Sequence, residues 1–349
     1  MAEYKYLIVG QGLAGTILSY KLQLKGIKHM VLDDGHRSAA TLAAAGLINP
    51  ITGRRYVKSW MIDELLPVAL KTYRGLEKLL DIKLVQESSI VRTFDNQTQE
   101  NHWNESTSRP GYDNYASKGD NPYEDSTHPP YGYGLINKAC QVQVGKMILA
   151  YQEYLKGKGW LLTERFRYDE LPYEAMPTLS GRTFENIIFC EGYKVLENPL
   201  FNNLPFQPAK GESLIIETDR TLPEAMLRDT VFIAPLSSHT FWSGGGYVWD
   251  NLDELPTKAF LDQWMDKLKA IWKGQLTLMT HRAGVRPSVK GRRPLIGRHP
   301  LYSNMILFNG MGTKGTSLAP YWAEHLINHL EGGKILSEEI NLTRFLTKQ

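Results

Sequence analysis

The sequence predicts an α/β protein built on a doubly wound, Rossmann-like sheet. Three observations predict it. The chain opens on a strand, a glycine turn, a helix and a second strand, "KYLIVGQGLAGTILSYKLQLKGIKHMVLDDG". It closes on another strand, glycine turn and helix, "NMILFNGMGTKGTSLAPYWAEHLINHL". Its 349 residues also suffice for about two domains.

Residues 6–9 are a short apolar run, as a buried parallel strand is. Ile17, Leu18, Lys21 and Leu22 keep a helical period, and Gly26 stands where that helix stops. Residues 29–32 form the next strand. This βαβ opening is what predicts the doubly wound sheet. Residues 95–134 are polar, aperiodic and rich in Pro, Gly and Asn, and predict a long, partly mobile excursion. Cys140, Val144, Met147, Ile148, Tyr151, Tyr154 and Leu155 fall on one helical face. "NIIFCEG" is a buried strand ending in glycine. "TVFIAPL" and "HTFWSGGGYVW" predict neighbouring antiparallel strands. Phe260, Leu261, Trp264, Leu268 and Ile271 mark an amphipathic helix, and Pro320 sits early in the last one.

Composition excludes several classes. A net charge of +3 is too small to imply nucleic-acid binding by itself. No run of about 18 apolar residues predicts a membrane span, and the first strand leaves no room for a signal peptide. Cys140 and Cys190 are the only cysteines, and with nine histidines they show no metal-ligand spacing. They predict no metal and a reducing, cytoplasmic location. Local charge is different. Arg282, Arg286, Lys290, Arg292, Arg293 and Arg298 crowd residues 282–298 with no acid among them. Either this cluster meets nucleic acid, or one arginine faces a buried anion and the rest lie at the surface.

Gly10, Gly12 and Gly15 spell G-x-G-x-x-G between a strand and a helix, with Asp33 closing the next strand about 20 residues on. Gly10 permits the turn, Gly12 lets backbone approach a pyrophosphate, and Gly15 lets helix and strand pack closely. Leu13 and Ala14 open the helix, whose free N–H groups face the anion. Asp33 accepts from ribose hydroxyls, with Asp34 its adjacent rival. A carboxylate there repels a ribose phosphate, so the ligand is FAD or NAD rather than NADP. The second glycine turn carries Gly310, Gly312, Thr313, Lys314, Gly315 and Thr316. Its helix offers another positive end to an anion, which suits the negative charge of a reduced flavin.

The opening fingerprint, "AAAGLINP", "NIIFCEG", "LPFQPAKGES", "GVRPSVKGRRPLIG" and "NGMGTKGTSLAP" follow one another in an order that resembles the D-amino-acid oxidase superfamily. That superfamily includes glycine oxidase, sarcosine oxidase and the oxidase domain of the bifunctional tRNA wobble-uridine modification protein. The resemblance covers nearly the whole chain outside 95–134. It implies a doubly wound FAD-binding domain from residues 1–60, 136–205 and 281–349. Residues 61–135 and 206–280 then form an α+β substrate domain whose antiparallel sheet roofs the flavin. It implies FAD contacts from Ala45, Gly46, Leu47 and Gly192. It implies non-covalent FAD, because the attachment cysteine of sarcosine oxidase has no match; Cys190 is expected near the adenine side. Arg286 is implied to pair with a substrate carboxylate, for which its planar fork is suited.

The chain departs from that pattern. Gly291 stands where the family carries an acid, and Phe232 where D-amino-acid oxidase has a tyrosine. The turn Gly-Thr-Lys-Gly at 312–315 is closer to the Gly-Ser-Arg-Gly of the tRNA oxidase domain than to Gly-His-Gly. Arg54, Arg55, Tyr56, Lys58 and Trp60 follow the flavin segment and are candidates to line the cavity. Tyr247 follows the glycine run 244–246 and is a candidate to edge it; Tyr131 and Tyr133 are candidates for a cover. Arg286, Tyr247, Arg55 and Tyr56 form the expected catalytic set. The expected reaction is FAD-dependent oxidation of the carbon–nitrogen bond of a small amino acid or N-substituted glycine, by hydride transfer to flavin, with oxygen as acceptor. One alternative acts on the carboxymethylaminomethyl group of tRNA uridine, which would make the basic cluster functional. The other is a flavoprotein without turnover. The balanced charge favours the small substrate.

Overall fold

A computed structural model describes residues 2–35, 39–170 and 176–345. Two large sheets organise them. The first runs in the order Leu295–Arg298, Met305–Asn309, Arg182–Phe189, Tyr4–Val9, His29–Leu32, Leu161–Leu162. Its strands are parallel except for the edge strand Leu295–Arg298 and the short Thr178–Leu179, which pairs antiparallel with Arg182–Phe189. Leu7, Ile8 and Val9 are all buried, the unbroken apolar run of a strand covered on both faces. The helices Leu13–Leu24 and Gly315–Gly332 pack together on one side, where Lys21 Nζ bonds Glu324 at 3.0 Å. The helix Ile62–Leu80 packs on the latter, and Tyr73 donates to the Thr316 carbonyl at 2.8 Å.

The second sheet runs Leu276–Arg286, Ala209–Thr218, Thr240–Val248, Phe232–Pro235, Met226–Arg228, Val85–Phe94, Gly132–Val142, Leu47–Ile48. It is antiparallel except where Met226–Arg228 meets Val85–Phe94. Side chains alternate between its faces. Leu214, Ile216, Leu227, Ile233 and Phe241 turn to the helix Lys258–Ile271 and pack with its Trp264 and Leu268. Ile90, Met226, Phe232 and Ala234 turn the other way, into the core shared with the helices of the first sheet. The expected pairing of "TVFIAPL" with "HTFWSGGGYVW" is present, with Ile233 opposite Ser243. No helix among the described residues is long and apolar enough to cross a membrane.

Three local expectations change. Cys140 lies in the strand Gly132–Val142, and the helix begins only at Val144; the tight strand–helix junction carries an apolar face across the boundary. That strand also runs through position 136, and Leu47–Ile48 pairs with it, so both belong to the second sheet. The segment 95–134 is not a structureless excursion. It holds the helix Gln97–Thr107, capped by Asn96 Oδ1 accepting from the Gln99 N–H at 3.1 Å. Trp103, Tyr112, Tyr115 and Tyr123 are buried. A few large rings among polar residues supply the burial, and no period reveals them. Tyr115 donates to Asp63 and Tyr123 to the Ala225 carbonyl, both at 2.6 Å, so each buried hydroxyl is satisfied.

This predicts that Trp103→Ala destabilises the protein strongly. Trp103 packs edge-on to Tyr56 at 5.4 Å and fills the space beside Gly134, where a Cβ would meet the indole at 2.4 Å. Emptying it should cost about 3–5 kcal/mol, read as a lower urea midpoint. An unchanged midpoint would show that the segment contributes no packing.

Candidate active site

The two sheets enclose a cavity of about 760 Å³. One wall is the first glycine turn. Gly10 has φ 99°, and a Cβ there would come 2.7 Å from the Cys190 carbonyl oxygen. At Gly15 it would come 1.9 Å from the Gly10 carbonyl oxygen, so the helix could not sit this close to the strand. Gly12 differs: an added Cβ would meet only Thr41 Oγ1, at 3.8 Å, and would otherwise enter the cavity. The structure therefore keeps open the approach that a pyrophosphate needs, at the N-terminus of a helix beginning at Leu13 and Ala14. Asp33 is fixed at the edge of this space. Its Oδ2 accepts from the Gln11 N–H at 2.7 Å and its Oδ1 from the Gly35 N–H at 2.8 Å. Asp34 also lines the cavity and lies 3.4 Å from Lys194 Nζ. Cys190 lines the cavity on the same side.

Ala45, Gly46, Leu47 and Gly192 extend this wall, and Gly312, Thr313, Gly315 and Thr316 of the second turn close it. Gly310 and Lys314 do not line it. Gly310 has φ 79° and lies against Val289 and the Leu295 backbone, where a Cβ would stand 2.7 and 3.0 Å away; it serves the turn rather than a ligand. Lys314 turns away from the cavity to the buried Ser59, whose Oγ it meets at 3.2 Å. Burial, then Arg293 and Arg292, lower its pKa.

The opposite wall is the second sheet. Arg286 reaches across its neighbouring strand at Gly211, where an added Cβ would stand 2.0 Å from Nη2. Its Nη1 donates to the Gly246 carbonyl at 2.8 Å and its Nη2 to that of Gly245 at 3.5 Å. The guanidinium lies 4.8 Å from the centre of the Tyr247 ring, a cation–π contact. No carboxylate among the described residues pairs with it. Burial lowers its pKa, yet an arginine stays charged. Trp242, which sequence reasoning missed, also lines the cavity and donates to the Ala43 carbonyl at 2.9 Å, tying the second sheet to the segment before Ala45.

Arg55 and Tyr56 stand elsewhere. The chain turns at Gly53, φ 77°, into the hairpin Ile51–Thr52 and Val57–Lys58. Arg55 is carried to the surface, and Tyr56 is buried between Phe94 and Trp103. Arg54, Lys58, Trp60, Tyr131 and Tyr133 do not line the cavity either, nor does Phe232. The basic cluster is dispersed. Arg282 donates to the Leu42 carbonyl at 2.9 Å, and Arg298 to Asn186 Oδ1 at 3.0 Å. Arg293, expected at the surface, stacks on Trp60 at 4.0 Å, with its Nε 3.5 Å from Glu339. Lys290 and Arg292 are exposed.

Glu191 is a further cavity residue that the sequence reading passed over, although it closes the strand in "NIIFCEG". Its buried carboxyl accepts from Tyr168 Oη and, at 2.9 Å, from Asn198 Nδ2. Burial pushes its pKa from 4.5 up to about 7.

The FAD dependent oxidoreductase family model matches residues 5–329. The chain belongs to that family. A glycine oxidase from Bacillus licheniformis is 23% identical over 97% of this chain and 96% of its own. The structure of a glycine oxidase from Geobacillus kaustophilus superimposes with a TM-score of 0.78 at 17% identity, covering 100% of both chains. That of an iminodiacetate oxidase from Chelativorans sp. BNC1 does so with a TM-score of 0.76 at 18% identity, covering 96% of this chain and 98% of its own. The protein is an oxidoreductase that uses FAD. Its residues fit the group: an open approach at Gly12, a fixed carboxylate at Asp33 and two helix N-termini facing one cavity.

In this oxidoreductase Gly12→Leu should abolish flavin binding, because the new side chain fills the pyrophosphate's approach. The purified wild type should be yellow, and acid precipitation should release its flavin; colour kept in the pellet would mean a covalent link. A second expectation concerns pH. Glu191 has a folded pKa above its unfolded one, so its contribution is complete below about pH 4.5 and is lost as pH rises through about 7. The loss should approach about 3.5 kcal/mol, roughly 1.4 kcal/mol for each pKa unit between 4.5 and about 7. Urea midpoints at pH 5 and pH 8 should differ more in the wild type than in Glu191→Gln; equal differences would remove Glu191 as the cause.

Proposed function

We propose that this oxidoreductase oxidises the carbon–nitrogen bond of a small amino acid or N-substituted glycine. Arg286 carries the reading: a half-buried guanidinium in the wall of the FAD cavity that no carboxylate among the described residues pairs with. A charge of this kind calls for an anion to pair with it. Only two of its five N–H groups meet the Gly245 and Gly246 carbonyls, which leaves donors for a substrate carboxylate. Tyr247 covers one face and fixes the plane of the fork. Two relatives are named for glycine and iminodiacetate. Each of those molecules bears a carboxylate one carbon from its nitrogen, as such a fork requires.

The protein's part is placement. Arg286 anchors the carboxylate, and the adjacent carbon is then presented to the cavity wall made by Gly312, Thr313 and Gly315. FAD, held by Gly10, Gly12, Gly15, Asp33 and the second glycine turn, would supply the two-electron oxidation of that carbon–nitrogen bond, with dioxygen as the terminal acceptor, reduced to hydrogen peroxide. Water hydrolyses the resulting imine to a carbonyl compound and an amine.

Arg286→Ala should keep the flavin but lose its reduction by substrate. Removing one partner of a desolvated charge pair costs about 2–5 kcal/mol, roughly 30- to several-thousand-fold in kcat/KM. Arg286→Lys should recover only part, since an ammonium keeps the charge without the fork. Anaerobic bleaching of the flavin against an amino-acid panel measures both. Reduction of Arg286→Ala at the wild-type rate would sink the assignment.

A further inference from the structure

One acid of the cavity wall lies against the first glycine turn itself. A Cβ added at Gly10 would come 3.4 Å from the Glu191 Cα, and Glu191 lines the cavity. Gly10 opens the turn that lets backbone approach a pyrophosphate. FAD therefore brings two phosphate charges to a stretch of wall that already holds a carboxyl group. The neighbouring acids of this wall are bonded differently. Asp33 accepts from the N–H groups of Gln11 and Gly35. Asp34 lies 3.4 Å from Lys194 Nζ, and Glu197 accepts from Arg165 at 3.1 Å. Glu191 is met instead by two neutral side-chain donors, Tyr168 Oη and Asn198 Nδ2. Each of its oxygens accepts one of these bonds and keeps a second position, on which a proton can sit.

The groups around Glu191 leave it as the one that titrates near neutrality. Burial raises the Cys190 thiol well above its usual range, with Glu191 adding to the effect. Burial and Glu191 likewise raise the Tyr168 phenol. For Glu191 itself burial outweighs the Asn198 and Tyr168 donors, which favour the anion, while Glu197 and Lys194 act on it with opposite signs. The balance lies at about 7.

We propose that Glu191 binds FAD as the neutral acid, so that the protein takes up a proton from solvent with its flavin and returns it on release. The ionised carboxylate would face the pyrophosphate as a like charge. The neutral acid removes that repulsion and adds an O–H donor that a phosphate oxygen accepts. The sign follows. Bound FAD raises the pKa of Glu191 above its value in the free protein. Affinity is therefore complete below that free value and weakens as pH rises through about 7. The proposal concerns the cofactor alone and is independent of which amine the enzyme oxidises.

The test is flavin release from the holoenzyme. Samples are diluted and ultrafiltered between pH 5.5 and pH 9, and the flavin that passes is read by its fluorescence after adjustment to one pH. Circular dichroism of the same samples should show folded protein throughout, so that release reads affinity. The wild-type dissociation constant should rise about 10-fold or more between pH 6 and pH 9, the equivalent of one pKa unit. Glu191→Gln is neutral at every pH and should hold FAD at pH 9 about as tightly as the wild type does at pH 6. A flat wild-type profile overturns the proposal, as does a slope that survives in Glu191→Gln. Affinity that increases with pH also overturns it, since the ionised carboxylate would then be accepting from the ligand. Tyr168→Phe decides the matter independently. It removes a donor to the carboxylate and should move the wild-type profile to higher pH; an unmoved profile would count against Glu191 as the titrating group.

Discussion

A half-buried arginine that no acid among the described residues pairs with is the constraint around which the second sheet is built. Desolvating a guanidinium costs several kcal/mol unless its donors are met. Here the backbone meets two of them, through the Gly245 and Gly246 carbonyls, and an aromatic face covers the rest of the plane. Each support has a steric condition. Gly211 must lack a side chain, because a Cβ would overlap the guanidinium. Gly244 must also lack one, since a Cβ there would stand 2.6 Å from the Glu212 carbonyl oxygen. Gly246 turns the strand with φ 77° and brings its carbonyl to Nη1. Gly211, the run 244–246, Tyr247 and Arg286 are one device, and a change in any member moves the charge.

The first sheet meets the opposite need. It brings backbone close to a ligand rather than a side chain. Gly10, Gly12 and Gly15 achieve this with three different clearances, two filled by protein and one left open. The two halves must then be held in register, or the walls of the cavity will not face each other. Trp242 provides one such tie, bonding Ala43 across the gap. Gly284 provides another. A Cβ there would come 2.8 Å from Ala40 Cα, so its absence lets the short helix Ala40–Ala43 lie directly on the strand that ends at Arg286.

What the sequence disclosed follows from how local each feature is. The dinucleotide turn is encoded within about two dozen residues, and Asp33 closes its own strand; period and spacing suffice to find them. The pairing of strands 232–235 and 240–248 is equally local. Trp103 and Tyr123 were hidden because a ring buries much area at one position and leaves no period in a polar segment. Tyr56 was misplaced for a related reason. Following the flavin segment in sequence does not keep it beside the flavin once Gly53 reverses the chain. Gly211 was quoted within a family segment, but its partner Arg286 is reached only through strand pairing, which no local pattern contains.

The basic cluster shows the same principle from the side of charge. Its six cations are neighbours in sequence and scatter in space, because they straddle a strand end and a turn. Arg282 and Arg286 lie on one strand and reach different partners, the Leu42 carbonyl and the glycine run, while Arg293 leaves the sheet for Trp60. Arg228 and Arg92 come from distant segments and lie directly opposite each other. In a sheet, strand order decides which charges a ligand meets together, and sequence order does not. A field able to recognise a small anion therefore has to be sought along the rows of the sheet.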